Sequence, residues 1–310
     1  MAITNIITVR SMNGPALTTI KGRWDPDTIN GPAAVRCVYM VNYSALIGFT
    51  LTNGATLQLD YPAPGNDDNH AGGGLWCYAA WWSPSFPADM AVISNCVIAG
   101  NSAAYQGGGT YHGNLYNCTL SGNVSEGCGG GASGSAMSYA RLYNCTLSSN
   151  YAAIFGTGTY RNRLYNCLLI GNYGGHSSYI DFFYNCTIVG NVGHGHYSHM
   201  YNCISWGNES ADNGTTPMSF SCGEGKLYTN SLLGNTTNNP RFITDGTGYG
   251  ASHVAGNYRL QAYSPCFNTG TNGSWTTNTV DLDGRTRIRY GVVDMGAYER
   301  INEGTIFCID

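Results

Sequence analysis

With 310 residues the chain has room for two ordinary domains, but 43 Gly, 23 Tyr and only 10% charged residues fit neither a helical nor a disordered protein. A formal net charge of -4 over that length argues against nucleic acid as a partner. No apolar run approaches the ~20 residues of a membrane-spanning helix, so no membrane span is expected.

From the start, Ile3, Ile6, Ile7 and Val9 read as strand, and without a basic region, long apolar core or cleavage site no signal peptide is expected within this sequence. Asn13-Gly14-Pro15 is a turn and Leu17 to Gly22 a short strand. Val35 to Val41 and Leu46 to Leu51 follow as strands of successive coils. The stretch 54–82, with Pro62, Pro64, three consecutive Gly and a Trp/Tyr cluster, is expected to protrude as a long loop. Residues 1–92 therefore read as irregular first coils.

At Ile93 a unit begins that recurs at Leu115, Leu142, Leu164, Phe183 and Met200, closing at Asn101, Asn123, Asn150, Asn172, Asn191 and Asn208. A degenerate seventh runs from Leu227 to Asn235. Each full copy carries an Asn-Cys pair, and successive pairs are 22, 27, 22, 19 and 17 residues apart. A fixed unit with elastic connections is a solenoid, so 1–310 is expected to be one elongated domain with regular repeats over 93–235. Period-two alternation points the apolar residue two before each Asn inward, and Cys with the aliphatic residue two beyond it inward again. The bend falls at Asn95, Asn117, Asn144, Asn166, Asn185 and Asn202, whose amides are expected to form one ladder.

The six repeat cysteines, Cys96, Cys118, Cys145, Cys167, Cys186 and Cys203, form a column of free thiols: rungs lie ~4.8 Å apart, but the side chains run parallel. Cys37, Cys77, Cys128, Cys222, Cys266 and Cys308 share no register, which leaves room for one or two disulfides. No Cys-x-x-Cys spacing suggests zinc. Past Asn235, Asn239-Pro240-Arg241-Phe242 and Tyr258-Arg259-Leu260 read as final coils. Asp281, Asp283, Arg285, Arg287 and Arg289 read as charged residues bonding loops into a cap over 236–310.

These units resemble the coils of bacterial right-handed parallel β-helix proteins of the pectate-lyase-like superfamily. Ile7-Thr8-Val9-Arg10-Ser11 with Asn13-Gly14-Pro15 looks like an early coil, and Asp281-Leu282-Asp283-Gly284-Arg285 with Val293-Asp294-Met295-Gly296-Ala297-Tyr298-Glu299 resembles a terminal motif of large secreted or surface-anchored members. The resemblance spans nearly the whole chain and implies an all-β, right-handed parallel β-helix with irregular first coils and a C-terminal capping motif. It implies no single activity, because the superfamily holds lyases, hydrolases and adhesins. Members usually have an end cap before the first coil; this chain starts within a strand, so it is expected to be truncated, or to self-associate or bind a partner through that coil.

The outward face carries the densest functional signal. One residue before the bend Asn stand Tyr116, Tyr143, Tyr165, Tyr184 and Tyr201; three before it stand Asn114, Arg141, Arg163, Phe182 and His199. Tyr faces stack on sugars, and Arg and His bond hydroxyls or carboxylates, so Arg141, Tyr143, Arg163, Tyr165, Tyr184, His199 and Tyr201 are the expected polysaccharide contacts. For an enzyme, a lyase or glycoside hydrolase, the candidates are Asp181, His194, His196 and Arg161. His194 and His196 are also the only weak metal candidates. No cofactor is expected: calcium needs several converging oxygens, and the regular coils offer only Glu126 and Asp181. The resulting expectation is an extracellular or cell-surface protein that binds polysaccharide through a Tyr/Arg face, with a lyase or hydrolase and a structural or filament-forming spacer as the alternatives.

Overall fold

A computed structural model describes residues 1–58, 69–78, 90–135, 139–193, 195–196, 198–209, 217–224 and 234–300, with only the backbone given for 176–179 and 195–196. Short parallel strands stack into three sheets, here A, B and C, and from the first strand to Ile204–Trp206 the chain passes through all three in turn. Sheet B contains Val92–Ser94, Asn114–Tyr116, Ala140–Tyr143, Asn162–Tyr165, Phe182–Tyr184 and His199–Tyr201. Sheet C contains the partner strand just past each bend, such as Thr119–Ser121 and Thr146–Ser148. The first coil supplies an edge strand to each sheet through Ala2–Ile3, Thr8–Arg10 and Thr19–Lys21. Gly250–Ser252 forms a 3-10 turn, and among the described residues no helix is long and apolar enough to cross a membrane.

Three-residue strands need sharp corners, and single left-handed residues provide them. Asn95, Asn117, Asn144, Asn166, Asn185 and Asn202 turn the chain from sheet B to sheet C with φ between 50 and 55°. Asn tolerates this conformation because its short amide adds little steric cost there. The corner after sheet C uses Gly100, Gly122, Gly171, Gly190 and Gly207 at φ between 58 and 64°, with Ser149 (φ 53°) in the equivalent place.

The core follows the period-two reading. Ile93, Leu115, Leu142, Leu164, Phe183 and Met200 are buried, as are the six repeat cysteines and Ile98, Leu120, Leu147, Leu169 and Ile188. All six column cysteines are free thiols, as is every other cysteine among the described residues. Cys308 lies outside them.

The asparagine ladder exists, but at the closing Asn rather than at the bend. The backbone N–H and Nδ2 of Asn101 both donate to Asn123 Oδ1, at 3.1 and 3.0 Å. The same double link joins Asn123 to Asn150, Asn150 to Asn172, Asn172 to Asn191 and Asn191 to Asn208. Each Nδ2 also donates to a carbonyl of the preceding coil, Leu120 O for Asn150 at 3.0 Å. The amide thereby fills its two donor and two acceptor sites. At the bend only Asn144–Asn166 and Asn185–Asn202 touch, at 3.3 and 3.4 Å, because left-handed backbone turns those side chains outward.

Two further expectations are corrected. The stretch 54–82 is not one loop: 69–78 returns to the solenoid, and Leu75–Cys77 is a buried strand of sheet A paired with Val38–Met40. Residues 240–260 add no coil; Phe242–Thr244 and Asn257–Leu260 pair antiparallel.

The C-terminal segment caps the solenoid from its side. It folds back over the outer face of sheet C, burying Leu168, Val189, Ile204 and Cys222 against Phe242, Tyr258, Leu260, Cys266, Met295 and Tyr298. The bend asparagines are its docking rail: Asn144 Nδ2 donates to Asp281 O (2.8 Å), Asn166 Nδ2 to Val280 O (2.8 Å) and Asn202 Nδ2 to Thr271 O (2.8 Å). The charged motif holds this flap together. Buried Asp281 accepts the backbone N–H groups of Asp283, Arg285 and Glu299, while Asp283 pairs with Arg259 and Arg285. Arg287, with no exposed surface, lies 3.3 Å from Glu299 and donates to Gly296 O.

Candidate functional site

The outward positions of sheet B form two columns, because its strands pair in register: Tyr143 lies opposite Tyr165, and Arg141 opposite Arg163. Tyr116, Tyr143, Tyr165, Tyr184 and Tyr201 stack with successive centroid separations of 4.8, 4.8, 4.8 and 5.4 Å. Interplanar angles of 4 to 9° mean that each ring face lies against its neighbour. The column therefore offers ring edges and hydroxyls to a ligand, not the ring faces on which the sugar-stacking expectation rested. Burial pushes the Tyr165 phenol up to about 12 and raises Tyr116 and Tyr184, so these groups stay neutral hydrogen-bonding partners at physiological pH.

The flap turns the column into a groove. Trp275 stands at its side, tilted 51° to Tyr184 and 55° to Tyr201 at 5.0 and 6.0 Å, with its Nε1 donating to Asn185 Oδ1 at 3.2 Å. With Ser274, Asn278, Thr279 and Val280 it walls a space of about 790 Å³, floored by Tyr116 to Tyr184 and cornered by Asn117, Asn144 and Asn166. The lining has no carboxylate, imidazole, amine or guanidinium. Its chemistry is hydrogen bonding plus one aromatic surface.

The second column lies beside the groove floor. Arg163 sits 5.6 Å over Phe182 and 5.7 Å over Tyr139, and Phe182 stacks on His199 at 5.0 Å. The Nε atoms of Arg141 and Arg163 are buried with no hydrogen-bond partner, and neither guanidinium is in an ion pair among the described residues. Arg161, a left-handed corner residue (φ 57°), places its guanidinium 5.0 Å over Tyr160.

Of the four catalytic candidates, Asp181 and Arg161 have described side chains. Asp181 has no exposed surface and accepts hydrogen bonds from Thr159 Oγ1 (2.9 Å) and Asn162 N (2.7 Å), so it ties neighbouring coils together. His196 belongs to the strand Gly195–His196, of which the backbone is described, and His194 lies outside the described residues. Among the described residues no three His, Cys, Asp or Glu side chains converge as metal ligands. The sequence reading missed Trp275 and the flap wall. Its available signal was a lone Trp in the polar stretch Asn272 to Thr277, where no strand alternation would bury it.

No protein-family model matches the chain, and no curated protein matches it by sequence. Among solved structures it is similar to the crystal structure of pectate lyase Pel9A, with a TM-score of 0.50 and 14% identity over 90% of this chain and 75% of that one. Strand order, in-register parallel pairing and this likeness identify the fold: the chain is a right-handed parallel β-helix of the pectate-lyase-like type.

Proposed function

We propose that the protein binds an extended polysaccharide along the groove between the Tyr column and the flap. The observation that carries this reading is the row of Tyr edges at 4.8 Å intervals along an uncharged, amide-rich groove, with Trp275 packed against its Tyr184–Tyr201 end. Sugar chains present hydroxyls on both edges and apolar patches on their faces. Phenol hydroxyls and Asn amides match the first, and a tilted indole matches the second. Several weak contacts on one polymer reinforce each other through the shared chain.

The test is affinity electrophoresis of the folded protein through gels containing candidate polysaccharides. Trp275→Ala and Tyr143→Phe should each reduce retardation several-fold, and the pair should abolish it. Unchanged retardation in the double variant, with its circular dichroism intact, would reduce the groove to structural cover.

A second reading, cleavage of an acidic polysaccharide by elimination, draws on the fold likeness and on the Arg141 and Arg163 guanidiniums, whose Nε atoms have no hydrogen-bond partner and which form no ion pair among the described residues. Such a reaction needs a cationic group to hold the uronate carboxylate and a base for the adjacent proton. Unsaturated product from pectate, lost in Arg163→Gln, would favour this reading over simple binding.

A further inference from the structure

The outward column of sheet C ends in a cysteine. Thr119, Thr146, Leu168, Thr187, Ile204 and Cys222 follow one another in direct register, and the flap covers the column from Leu168 onward. Cys266 belongs to the flap. Both cysteines have no exposed surface and lie in one apolar cluster with Ile204, Phe242 and Met295, where the Cys222 thiol donates to Asn238 O at 3.3 Å.

The repeat column differs in its geometry. Those six thiols occupy equivalent positions on stacked parallel coils, so their Cα–Cβ bonds point the same way, and each thiol donates to the carbonyl two residues earlier. Cys222 and Cys266 come from opposed layers, sheet and flap, packed into that one buried cluster. A disulfide needs converging Cβ atoms about 3.5–4.5 Å apart, which opposed layers supply and parallel neighbours do not.

We propose that Cys222 and Cys266 are a cross-linking site at which a disulfide fastens the C-terminal flap to the end of the solenoid. The oxidant is a small-molecule disulfide such as oxidised glutathione. One cysteine thiolate attacks it, forming a mixed disulfide and releasing one glutathione. The second cysteine thiolate then attacks the protein sulfur of that mixed disulfide, forming the Cys222–Cys266 bond and expelling the second glutathione. Two protein thiols are oxidised, one glutathione disulfide is reduced to two thiols, and the protein's two protons end on the glutathiones. Because both sulfurs are buried, the reaction proceeds when the flap lifts or before it closes during folding.

The experiment uses the full chain, refolded in excess oxidised glutathione, alkylated, and digested without reduction for peptide mass mapping. The expected result is one linked peptide pair carrying Cys222 and Cys266, with the six column cysteines alkylated. Limited proteolysis within 240–300 should be at least about tenfold slower than in the reduced protein, since opening must then occur with the flap tethered. Cys266→Ser in the oxidising buffer should be cut at the rate of the reduced wild type. Alkylation of both Cys222 and Cys266, pairing of either with Cys308, or bonds within the column would each overturn the proposal.

Discussion

Replacing Asn150 by Ala tests whether the closing asparagines hold the coils together. Asn150 has no exposed surface, and its amide makes four bonds: Oδ1 accepts from Asn123 N and Nδ2 (both 3.0 Å), while Nδ2 donates to Leu120 O (3.0 Å) and Asn172 Oδ1 (2.9 Å). In the Ala variant, Asn123 Nδ2 keeps Ile98 O and Asn172 Oδ1 keeps the Asn150 backbone N–H. The Asn123 backbone N–H loses its acceptor, whereas Leu120 O loses only the amide and keeps its place in the sheet C ladder beside Leu147. At ~1–3 kcal/mol for a buried polar group so stranded, the loss should be roughly 1–3 kcal/mol from that N–H, with the lost amide–amide bonds adding to it. The comparison is Asn117→Ala, at an exposed bend with φ 53°. It should cost only about 1 kcal/mol, from placing Ala in left-handed backbone. Urea unfolding followed by circular dichroism gives both values, and hydrogen exchange should show the Asn123 amide losing protection in Asn150→Ala alone. An Asn150→Ala loss no greater than that of Asn117→Ala, with Asn123 still protected, would refute the ladder argument.

Two further perturbations follow from the same geometry. Ser149→Gly should raise stability by about 0.5–1 kcal/mol in urea unfolding, because relief of left-handed strain exceeds the entropy Gly adds to the unfolded chain, and equivalent corners already hold Gly. In the flap, burial pushes Glu299 up to about 8 and Asp294 to about 6, although the Arg287 guanidinium pulls both down. The folded state thus holds protons that the unfolded state has released. The associated stability is present below about pH 4 and lost as pH rises to about 8, at about 1.4 kcal/mol per pH unit for each proton held. Glu299→Gln should flatten much of that slope; an unchanged slope in thermal melts across this range would show that Glu299 ionises normally.

The solenoid was legible because its determinants are local and repeated. Leu142, Cys145 and Leu147 announce their burial through spacing alone, and each copy confirms the last. Assigning the ladder to the wrong asparagine had a physical cause: both Asn positions recur with one offset, and sequence does not distinguish an Asn kept for backbone conformation from one kept for its amide. The flap was obscured by its distance in sequence, since Asn144 meets Asp281 and Asn185 meets Trp275. Yet it left a trace. The outward residues of sheet C change from Thr119 and Ser121, through Thr146 and Ser148, to Leu168 and Ile170 and then Ile204 and Trp206. Polar outward positions turning apolar midway along a solenoid indicate that something covers the later coils.

That covering also decides what the Tyr column can do. Five stacked phenols on an open sheet would be cross-strand packing, contributing ~0.2–1 kcal/mol per pair to stability with no shape to select a ligand. The flap adds the wall, and its docking depends on bend asparagines that the backbone already requires at those corners: Asn144 and Asn166 both turn the chain and hold Asp281 and Val280 beside the column. Asn95 and Asn117, on earlier coils, turn the chain equally well but remain exposed. The groove therefore lies where a periodic surface and an aperiodic segment meet. For the polymer proposed as ligand, the period would set the spacing of the hydroxyls it meets, and the flap the side on which Trp275 stands. A substitution that frees the flap without disturbing the coils should abolish binding while leaving the strand content unchanged.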